Sequence, residues 1–280
     1  MNDHSLFTIY FNQFRKRLQK VEGKMMKDKT VIVTGGSSGM GKAMAQRFAN
    51  DGANVMITGR SEQKLEDAKL EMMETATGKV EVFSMDVRDI DEIDQMVEHT
   101  IKTFGSIDHL VNNAAGNFVV QAEDLTVNGW NSVIDIVLNG TFYCTKAVGA
   151  HWIEEEKRGS ILNMVATYAW DAGAGVIHSA AAKAGVLSMT RTLAVEWGAK
   201  YGIRANAIAP GPIERTGGSE KLMLSPEMVK KVKDSNPLHR FGTPEEIAGL
   251  AAFIFSEDAS YINGEVITMD GGQWLNDFPF

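Results

Sequence analysis

Three side chains that can hold or transfer a proton lie within a sixteen-residue stretch. Tyr168 is followed by Ser179 and, four positions further, by Lys183. Residues four apart share one face of a helix, so Ser179 and Lys183 are expected side by side. A phenol with a pKa of about 10 is protonated near pH 7, so Tyr168 can donate a hydrogen bond and a proton without a large pKa shift. The side-chain amide of Asn117 can donate a second hydrogen bond, so Tyr168 and Asn117 together could stabilise negative charge that develops on one atom of a substrate.

A glycine-rich turn follows the first strand-like segment. It reads Thr34-Gly35-Gly36-Ser37-Ser38-Gly39-Met40-Gly41 and leads into a helix-like segment. Glycines let the backbone turn tightly and approach a pyrophosphate, whose charge is met by the amides of the helix N-terminus. The turn therefore predicts a dinucleotide site. Its predicted residues are Gly35, Ser37, Ser38, Gly39, Met40 and Gly41.

Strand-like and helix-like segments alternate from Lys29 onward, and these elements must position the residues above. The predicted strands are Thr30–Thr34, Asn54–Thr58, Val80–Met85, His109–Asn112, Ser160–Val165, Arg204–Ala209 and Glu265–Met269. The predicted helices include Lys42–Asn50, Gln63–Glu74, Ile90–Phe104, Gly185–Tyr201 and Pro244–Phe255. Right-handed crossovers between such strands give an α/β, doubly wound, Rossmann-like parallel sheet of about seven strands. The glycine- and proline-rich segment 210–242 predicts a lid over a substrate.

Composition limits the classes of function. The chain has 280 residues, 44% of them hydrophobic, and a net charge of −8. This charge argues against broad binding of nucleic acid or an anionic membrane surface, and no apolar run approaches the ~18 residues of a membrane span. The six histidines show no metal-ligand spacing, so no metal is expected. With the single Cys144 no internal disulfide can form, which fits a reducing cytoplasm.

Residues 1–26 are predicted to be an N-terminal extension, followed by one domain over residues 27–280. The extension shows no apolar segment with a small-residue cleavage site, so a secretory signal is not expected. One interpretation is a helix that lies on a surface or binds a partner. The interpretation we favour is an upstream extension, with the domain beginning near Met25 or Met26. The apolar residues of the extension recur at helical spacing: Leu6, Phe7, Tyr10, Phe14, Leu18 and Val21.

Several motifs, in the expected order, resemble those of the short-chain dehydrogenase/reductase family over residues 27–274. The spacing of Gly35, Gly39 and Gly41 resembles that family's glycine motif, and Asn112–Gly116 matches its element after the fourth strand. Asn139 matches its helix asparagine. The resemblance implies cofactor contacts from Asp86, Val87, Asn113, Ala114, Lys183, Pro210, Gly211, Pro212 and Ile213.

The end of the second strand bears on which nicotinamide cofactor is used. It reads Thr58-Gly59-Arg60-Ser61, with no acidic residue to accept hydrogen bonds from a free adenosine ribose. Arg60 can grip the 2′-phosphate of NADPH with charge-assisted hydrogen bonds. A solvated surface arginine is the alternative. We predict NADPH rather than NADH.

The family's usual Tyr-x-x-x-Lys pair is incomplete in this chain. Ser179 occupies the tyrosine position, and Ala166 occupies the position of the usual serine. In the reduction of a carbonyl, the proton goes to the oxygen bonded to the carbon that receives hydride, so the acid must lie beside that oxygen. Because position 179 holds no tyrosine to act as this acid, ordinary ketone or alcohol chemistry is disfavoured. If hydride instead adds to C5 of a 2,4-dienoyl thioester, negative charge appears at the distant thioester oxygen. Tyr168 and Asn117 could then donate hydrogen bonds to that oxygen.

Within this family, the chain closely resembles the 2,4-dienoyl-CoA reductases. The matching stretches are Asn112–Phe118, Asp135–Thr141, Thr167–Ala169, Ser179–Val186 and Pro210–Ile213. The resemblance implies NADPH-dependent reduction of 2,4-dienoyl-CoA to 3-enoyl-CoA in the degradation of unsaturated fatty acids. It implies catalytic roles for Tyr168, Asn117, Lys183, Ser179 and Asn139, contacts of Arg88 and Lys221 with the acyl-CoA substrate, and an acyl pocket lined by Phe118 and Thr126. It also implies a homotetramer.

Other interpretations stay open at this stage. Tyr168, taken alone, could be a loop aromatic, and Asn117 could cap a turn. An enoyl-thioester or 3-ketoacyl reductase of the same fold is a second candidate, although the missing tyrosine at position 179 counts against it. A catalytically silent NADPH-binding regulator is the third, and the presence of Lys183 and Asn139 argues against it.

Overall fold

The structure is a computed structural model that describes residues 26–217 and 225–276. In this part of the chain, seven strands form one parallel sheet in the order β3-β2-β1-β4-β5-β6-β7. The strands are β1 (Thr30–Thr34), β2 (Asn54–Gly59), β3 (Val80–Ser84), β4 (His109–Asn112), β5 (Ser160–Met164), β6 (Arg204–Pro210) and β7 (Val266–Met269). The predicted doubly wound sheet is confirmed, and each strand end agrees to within one residue.

The crossovers between these strands are helical. The helices are α1 (Gly39–Asn50), α2 (Glu62–Met73), α3 (Ile90–Phe104), α4 (Val127–Ile134), α5 (Gly140–Glu154), α6 (Ile177–Tyr201), α7 (Pro226–Ser235) and α8 (Pro244–Phe255). Local sequence explains several of their ends. Asp89 caps α3 by accepting a hydrogen bond from the backbone of Glu92, and α8 begins with a capping box between Thr243 and Glu246.

The predicted start of α6 at Gly185 is wrong, because the helix begins eight residues earlier at Ile177. The alanine-rich run before Gly185 favours helix, and the glycine does not mark a boundary. A Cβ at Gly185 would lie 2.9 Å from Leu138 Cδ1, so the glycine allows α6 to pack closely against the segment between α4 and α5. The longer helix carries both Ser179 and Lys183, as their spacing predicted.

Two layers of apolar side chains hold the sheet between its helices. On one face, Phe48 of α1 and Phe255 of α8 pack with their ring centroids 5.5 Å apart. On the other, Trp152 of α5 is fully buried and donates a hydrogen bond to the carbonyl of Ile107 at 2.7 Å. Full burial of each such side chain contributes roughly 1.5–3 kcal/mol. The rigid sheet fixes where its strands end, and those ends position the site.

Strand order defines where a ligand can enter. β1 lies between β2 and β4, and the chain winds outward from β1 in one direction and from β4 in the other. In such sheets the crevice forms beyond the carboxyl ends of the strands at this reversal. Residues 1–25, which hold most of the predicted extension, lie outside the described residues, so that prediction is not tested. Among the described helices, none has the length and apolar character needed to cross a membrane.

Candidate active site

A cavity of about 440 Å³ opens at the carboxyl edge of the sheet. Its walls are the segments that follow β1, β2, β3 and β4, together with residues after β6. Most of the predicted cofactor residues line it: Gly35, Ser37, Ser38, Gly39, Met40, Arg60, Asp86, Val87, Asn113 and Ala114. Four segments distant in sequence thus form one cavity where the strand order predicted a ligand crevice.

The glycine turn fits a group that needs close approach of the backbone. Gly35 has φ of +66° and Gly39 of +54°, which side chains rarely adopt. A Cβ at Gly41 would lie 2.3 Å from the carbonyl oxygen of Gly35 and 2.4 Å from Nδ2 of Asn113, so only glycine fits there. Beyond this turn α1 begins, and its N-terminal amides favour a negative charge. The residues present therefore fit a pyrophosphate-bearing dinucleotide.

Asn113 ties the loop after β4 to the glycine turn. Its side-chain nitrogen donates hydrogen bonds to the carbonyl oxygens of Thr34 and Gly35, at 3.0 and 3.1 Å. The Thr34 hydroxyl in turn accepts from the backbone nitrogens of Asn113 and Ala114, both at 3.0 Å. This network holds two walls of the cavity at a fixed distance. It explains why an asparagine and a threonine face each other here.

Two cations stand where β2 meets α2. Arg60 and Lys64 both line the cavity, and Ser61 between them caps α2. Neither cation forms an ion pair with a described residue. Lys64 was not among the residues predicted from the sequence, although Ser61 three residues before it is a recognisable helix cap. An exposed arginine and lysine on either side of a helix start form a site suited to phosphate.

Asp86 and Arg88 are bound to each other. The guanidinium contacts both carboxylate oxygens, with Nε 2.9 Å from Oδ1 and Nη2 2.6 Å from Oδ2. The hydrogen bond from Arg88 is the main cause that holds the pKa of Asp86 below its ordinary value. Asp86 lines the cavity, whereas Arg88 does not. The predicted contact of Arg88 with the acyl-CoA substrate thus remains a prediction.

Tyr168, Ser179 and Lys183 meet near the carboxyl end of β5. The Tyr168 hydroxyl is 3.1 Å from Oγ of Ser179, and either group can be the donor. Lys183 is buried and donates a hydrogen bond to the carbonyl of Met164 at 2.5 Å. Burial raises the pKa of Tyr168 above its ordinary value, against a smaller effect of the Ser179 hydrogen bond, and burial lowers the pKa of Lys183 to about 8. A neutral phenol therefore lies beside a hydroxyl, with an ammonium group one helical turn away.

Asn117 lies in the wall of the cavity with its amide nitrogen available as a donor. Its side-chain oxygen accepts a hydrogen bond from the backbone of Phe118 at 2.9 Å. The amide nitrogen makes no hydrogen bond to a described residue. Asn117 thus makes one local hydrogen bond through its side-chain oxygen, and its amide nitrogen remains the donor that the predicted catalytic role requires.

The predicted acyl-pocket residues Phe118 and Thr126 lie close together. A Cβ at Gly129 would be 3.2 Å from both Phe118 Cζ and Thr126 Oγ1. Thr126 is exposed and caps α4, accepting a hydrogen bond from the backbone of Gly129 at 3.0 Å. Phe118 is also exposed and lies edge to face against His178. Lys221, the other predicted substrate contact, lies outside the described residues.

Asn139 closes a π-helical turn between α4 and α5. The turn spans Asp135–Asn139, and Nδ2 of Asn139 donates to Oδ1 of Asp135 at 2.9 Å. Such turns are rare and occur often at functional sites. The predicted catalytic role of Asn139 is not tested by this contact.

The predicted nicotinamide-side loop, Pro210–Ile213, lies at the end of β6. Gly211 donates to the carbonyl of Met269 at 3.1 Å, and a Cβ at Gly211 would lie 2.6 Å from Cβ of Asp270. Pro212 and Ile213 line a smaller cavity of about 110 Å³ rather than the main one. From this part of the chain, Thr216 and Gly217 line the main cavity. Both residues fall in the segment 210–242 that was predicted to be a lid, and neither was among the predicted cofactor residues.

In the part of the chain that the structure describes, no group of three or more His, Cys, Asp or Glu is placed to hold a metal ion. The parallel sheet and the cavity beyond its glycine turn are those of a nicotinamide-dependent oxidoreductase. A family model described as Enoyl-(Acyl carrier protein) reductase matches residues 35–273. The chain belongs to the short-chain dehydrogenase/reductase family.

The names of two similar proteins state the substrate that each of them reduces. A Bacillus subtilis (strain 168) protein named Probable 2,4-dienoyl-CoA reductase, (2E)-enoyl-CoA-producing, is 63% identical over 255 residues, covering 91% of this chain and 100% of that protein. A Caenorhabditis elegans protein named Probable 2,4-dienoyl-CoA reductase 3, (3E)-enoyl-CoA-producing, is 43% identical over 251 residues, covering 89% of this chain and 81% of that protein. Both names give 2,4-dienoyl-CoA as the molecule that is reduced, and they differ on the product.

A solved structure matches the fold over nearly the same length. It is the crystal structure of a short chain dehydrogenase from Bacillus anthracis str. Ames Ancestor, 62% identical to this chain with a TM-score of 0.84. The match covers 91% of this chain and 100% of that chain. This chain is similar to that protein over the whole of the latter's length.

Proposed function

We propose that this chain is an NADPH-dependent 2,4-dienoyl-CoA reductase that forms a 3-enoyl-CoA during the degradation of unsaturated fatty acids. The observation that carries the proposal is the 3.1 Å contact between the Tyr168 hydroxyl and Ser179 Oγ, one helical turn before Lys183. A phenol held at this position, with serine in the usual tyrosine place, suits protonation away from the carbon that receives hydride. The names of the relatives support the same substrate class.

NADPH is the proposed cofactor because of the charges at the β2–α2 junction. Arg60 and Lys64 line the cavity, and the residues that end β2 include no carboxylate. Charge-assisted hydrogen bonds to a 2′-phosphate would stabilise NADPH, which carries this group, and would do nothing for NADH. Two cations without a carboxylate partner favour the phosphorylated form.

The proposed reaction places a proton at C2 and relies on the chain's own donors. When bound, the nicotinamide supplies hydride to C5 of the substrate. The C4=C5 and C2=C3 electron pairs shift towards the thioester, so a C3=C4 double bond forms and negative charge collects on the thioester oxygen. Tyr168 and Asn117 stabilise this oxygen with hydrogen bonds, and Tyr168 gives its proton to C2. Ser179 then donates a hydrogen bond to the phenolate.

The surrounding residues have supporting roles in this proposal. Lys183 holds the hydroxyls of the nicotinamide ribose, and Asn139 belongs to the same catalytic group. Phe118 and Thr126, which lie close together, line the acyl pocket. Arg88 and Lys221 contact the coenzyme A part of the substrate, for which Arg88 must release Asp86.

The position of the proton separates the two products that the relatives' names give. Protonation at C2 yields a 3-enoyl-CoA, whereas protonation at C4 of the same intermediate yields a 2-enoyl-CoA. We favour C2, since it neighbours the thioester carbon whose oxygen both donors are proposed to hold. Reduction in D₂O followed by NMR of the product tests this: deuterium at C2 supports the proposal, and deuterium at C4 gives the 2-enoyl product instead.

A substrate panel tests the function itself. The rate of NADPH consumption would be compared for 2,4-hexadienoyl-CoA, a 2-enoyl-CoA and a 3-ketoacyl-CoA. We expect turnover of the dienoyl thioester. Turnover of the 3-ketoacyl thioester alone would establish the competing ketoreductase, and NADPH binding without any turnover would indicate a regulator.

We further propose that the protein works in the cytoplasm as a homotetramer. The single cysteine is free and buried, which suits a reducing compartment. The quaternary state rests on the family resemblance. Light scattering at several protein concentrations would detect a tetramer, and a monomer at assay concentration would contradict it.

A further inference from the structure

His178 lies between the two groups of residues proposed to donate hydrogen bonds to the substrate. It precedes Ser179 in the first turn of α6 and is fully buried. On one side His178 contacts Ser179, whose side chain contacts Tyr168. On the other side its ring contacts Phe118, whose backbone contacts the side chain of Asn117. No role was predicted for His178 from the sequence.

The contact with Ser179 determines which ring nitrogen of His178 carries the proton. Nδ1 of His178 accepts a hydrogen bond from the backbone nitrogen of Ser179 at 2.8 Å. A nitrogen that accepts carries no proton, so the ring is neutral with its proton on Nε2. The first amides of a helix have no partner within it, and the cap residue of α6, Val176, makes no side-chain cap bond. His178 therefore supplies the acceptor that holds Ser179 in place.

The position of Ser179 sets the position of the phenol. Its backbone is held by His178, and its Oγ lies 3.1 Å from the Tyr168 hydroxyl. Ser179 is itself almost fully buried, so it has little freedom to follow a moving partner. A change at His178 is thus transmitted through one residue to the proposed proton donor.

The His178 ring also supports the loop that carries Asn117. It lies edge to face against Phe118, with centroids 4.5 Å apart and planes at 83°. The backbone of Phe118 donates to Oδ1 of Asn117, which orients that side chain. Nε2 of His178 is buried and has no hydrogen-bond partner among the described residues. A buried polar nitrogen without a partner is costly to maintain, so the ring of His178 is held in place by its Nδ1 contact and by packing.

We propose that neutral His178 is a positioning residue that sets the distance between Tyr168 and Asn117 while touching neither substrate nor cofactor. Its Nδ1 holds Ser179 and thereby Tyr168, and its ring holds Phe118 and thereby Asn117. The consequence for catalysis rests on the proposed function of those two donors. The tautomer of His178 and its contacts with Ser179 and Phe118 do not depend on that function.

Two substitutions separate the acceptor from the ring. His178→Asn keeps an acceptor near the position of Nδ1 and removes the ring, whereas His178→Phe keeps a ring and removes the acceptor. We expect His178→Phe to lower kcat by about 10–100-fold, the loss that a small misplacement of a catalytic group causes, with KM for NADPH unchanged. His178→Asn should recover part of this loss. Wild-type kcat in His178→Phe would overturn the acceptor role, and wild-type kcat in His178→Asn would overturn the role of the ring.

His109 offers a matched control. It is also a buried histidine with ring nitrogens that lack partners, stacked on Phe255 at 4.3 Å. It begins β4, at the opposite edge of the sheet from the cavity. His109→Phe should keep kcat whatever it does to thermal stability. A loss of kcat equal to that of His178→Phe would mean that general loosening explains the effect.

Nitrogen NMR provides a readout that needs no activity. In protein with ¹⁵N-labelled histidine, two-bond proton–nitrogen correlations identify the tautomer of each ring, and the His178→Asn spectrum assigns the signal. We expect a proton on Nε2 and none on Nδ1. A proton on Nδ1 overturns the inference even if dienoyl-CoA is reduced. Conversely, failure of the wild-type protein to reduce dienoyl-CoA would refute the proposed function and leave the NMR test of His178 standing.

Discussion

At the scale of single residues, burial acts in opposite ways on two neighbouring groups. It raises the pKa of the Tyr168 phenol, because a buried phenolate is penalised, and it lowers the pKa of Lys183 to about 8, because a buried ammonium is penalised. Near pH 7 the phenol is therefore neutral and the amine is mostly charged. This is the pair of states that a proton donor and a cofactor-holding cation require.

The role of the phenol can be tested by removing its hydroxyl. Tyr168→Phe deletes the proposed proton donor and one hydrogen bond to the thioester oxygen, so kcat should fall by about 10²–10⁴-fold. Tyr261→Phe is the control, because that side chain is fully exposed. The measurement is NADPH consumption with 2,4-hexadienoyl-CoA. Near wild-type turnover by Tyr168→Phe would remove Tyr168 from the mechanism.

The alkaline loss of activity should belong to Lys183. The charged ammonium is the form proposed to hold the cofactor, so kcat/KM for NADPH should fall as pH rises through about 8, where the lysine loses its proton. Tyr168 keeps its proton in this range because its pKa lies above its ordinary value. Lys183→Arg stays charged and should shift the loss to higher pH. The same alkaline limb in this variant would assign the titration to another group.

At the scale of elements, close helix packing brings the site together. Gly185 lets α6 approach the π-helical turn Asp135–Asn139, where Leu138 would meet an added Cβ at 2.9 Å. The same helix carries Ser179 and Lys183, and the same turn carries Asn139. A small residue in the middle of α6 therefore sets the spacing of residues that the sequence places far apart.

This packing predicts different effects of two glycine substitutions. Gly185→Ala must displace the methyl groups of Leu138, which lie 2.9 and 3.0 Å from the added Cβ, so this repacking should offset the gain in helix propensity and the substitution should stabilise the protein less than Gly249→Ala does. Gly249→Ala in α8 is the matched control, because the nearest heavy atom is 4.0 Å from the added Cβ. That substitution should stabilise the helix by about 0.5–1 kcal/mol. Urea unfolding measures both, and equal stabilisation by the two substitutions would refute the packing argument.

At the scale of the whole molecule, the sequence predicted the sheet well for a physical reason. Parallel strands covered on both faces are continuous apolar runs, and β1 and β5 are buried at every position. The glycine turn was equally predictable, because the space at position 41 admits no side chain and the glycine required there is visible in the sequence. Apolar runs and required glycines are properties of short segments, so they can be recognised without knowledge of the fold.

Contacts between distant segments were not predictable in this way. Lys64 joins Arg60 in the cavity only because α2 begins at Glu62, and a single lysine carries no signal of its own. The contact of His178 with Phe118 joins residues sixty positions apart. The pairing of Arg88 with Asp86 likewise depends on how the backbone turns after β3. The sequence identified residue types that suit the chemistry, whereas their partners depend on the packed fold.

Cofactor binding should stabilise the whole molecule, because the cavity is built from segments on both sides of the strand reversal. A ligand that binds only the folded state adds about 2.7 kcal/mol at a concentration of 100 times its Kd. At equal concentrations NADPH should therefore raise Tm more than NADH, since charge-assisted hydrogen bonds to the 2′-phosphate contribute roughly 1.5–3 kcal/mol. Arg60→Ala and Lys64→Ala should each reduce the difference between the two cofactors. Lys69→Ala, on the same helix but paired with Glu81, should leave it intact. Equal stabilisation of the wild-type protein by NADH and NADPH would show that these two cations do not select the cofactor.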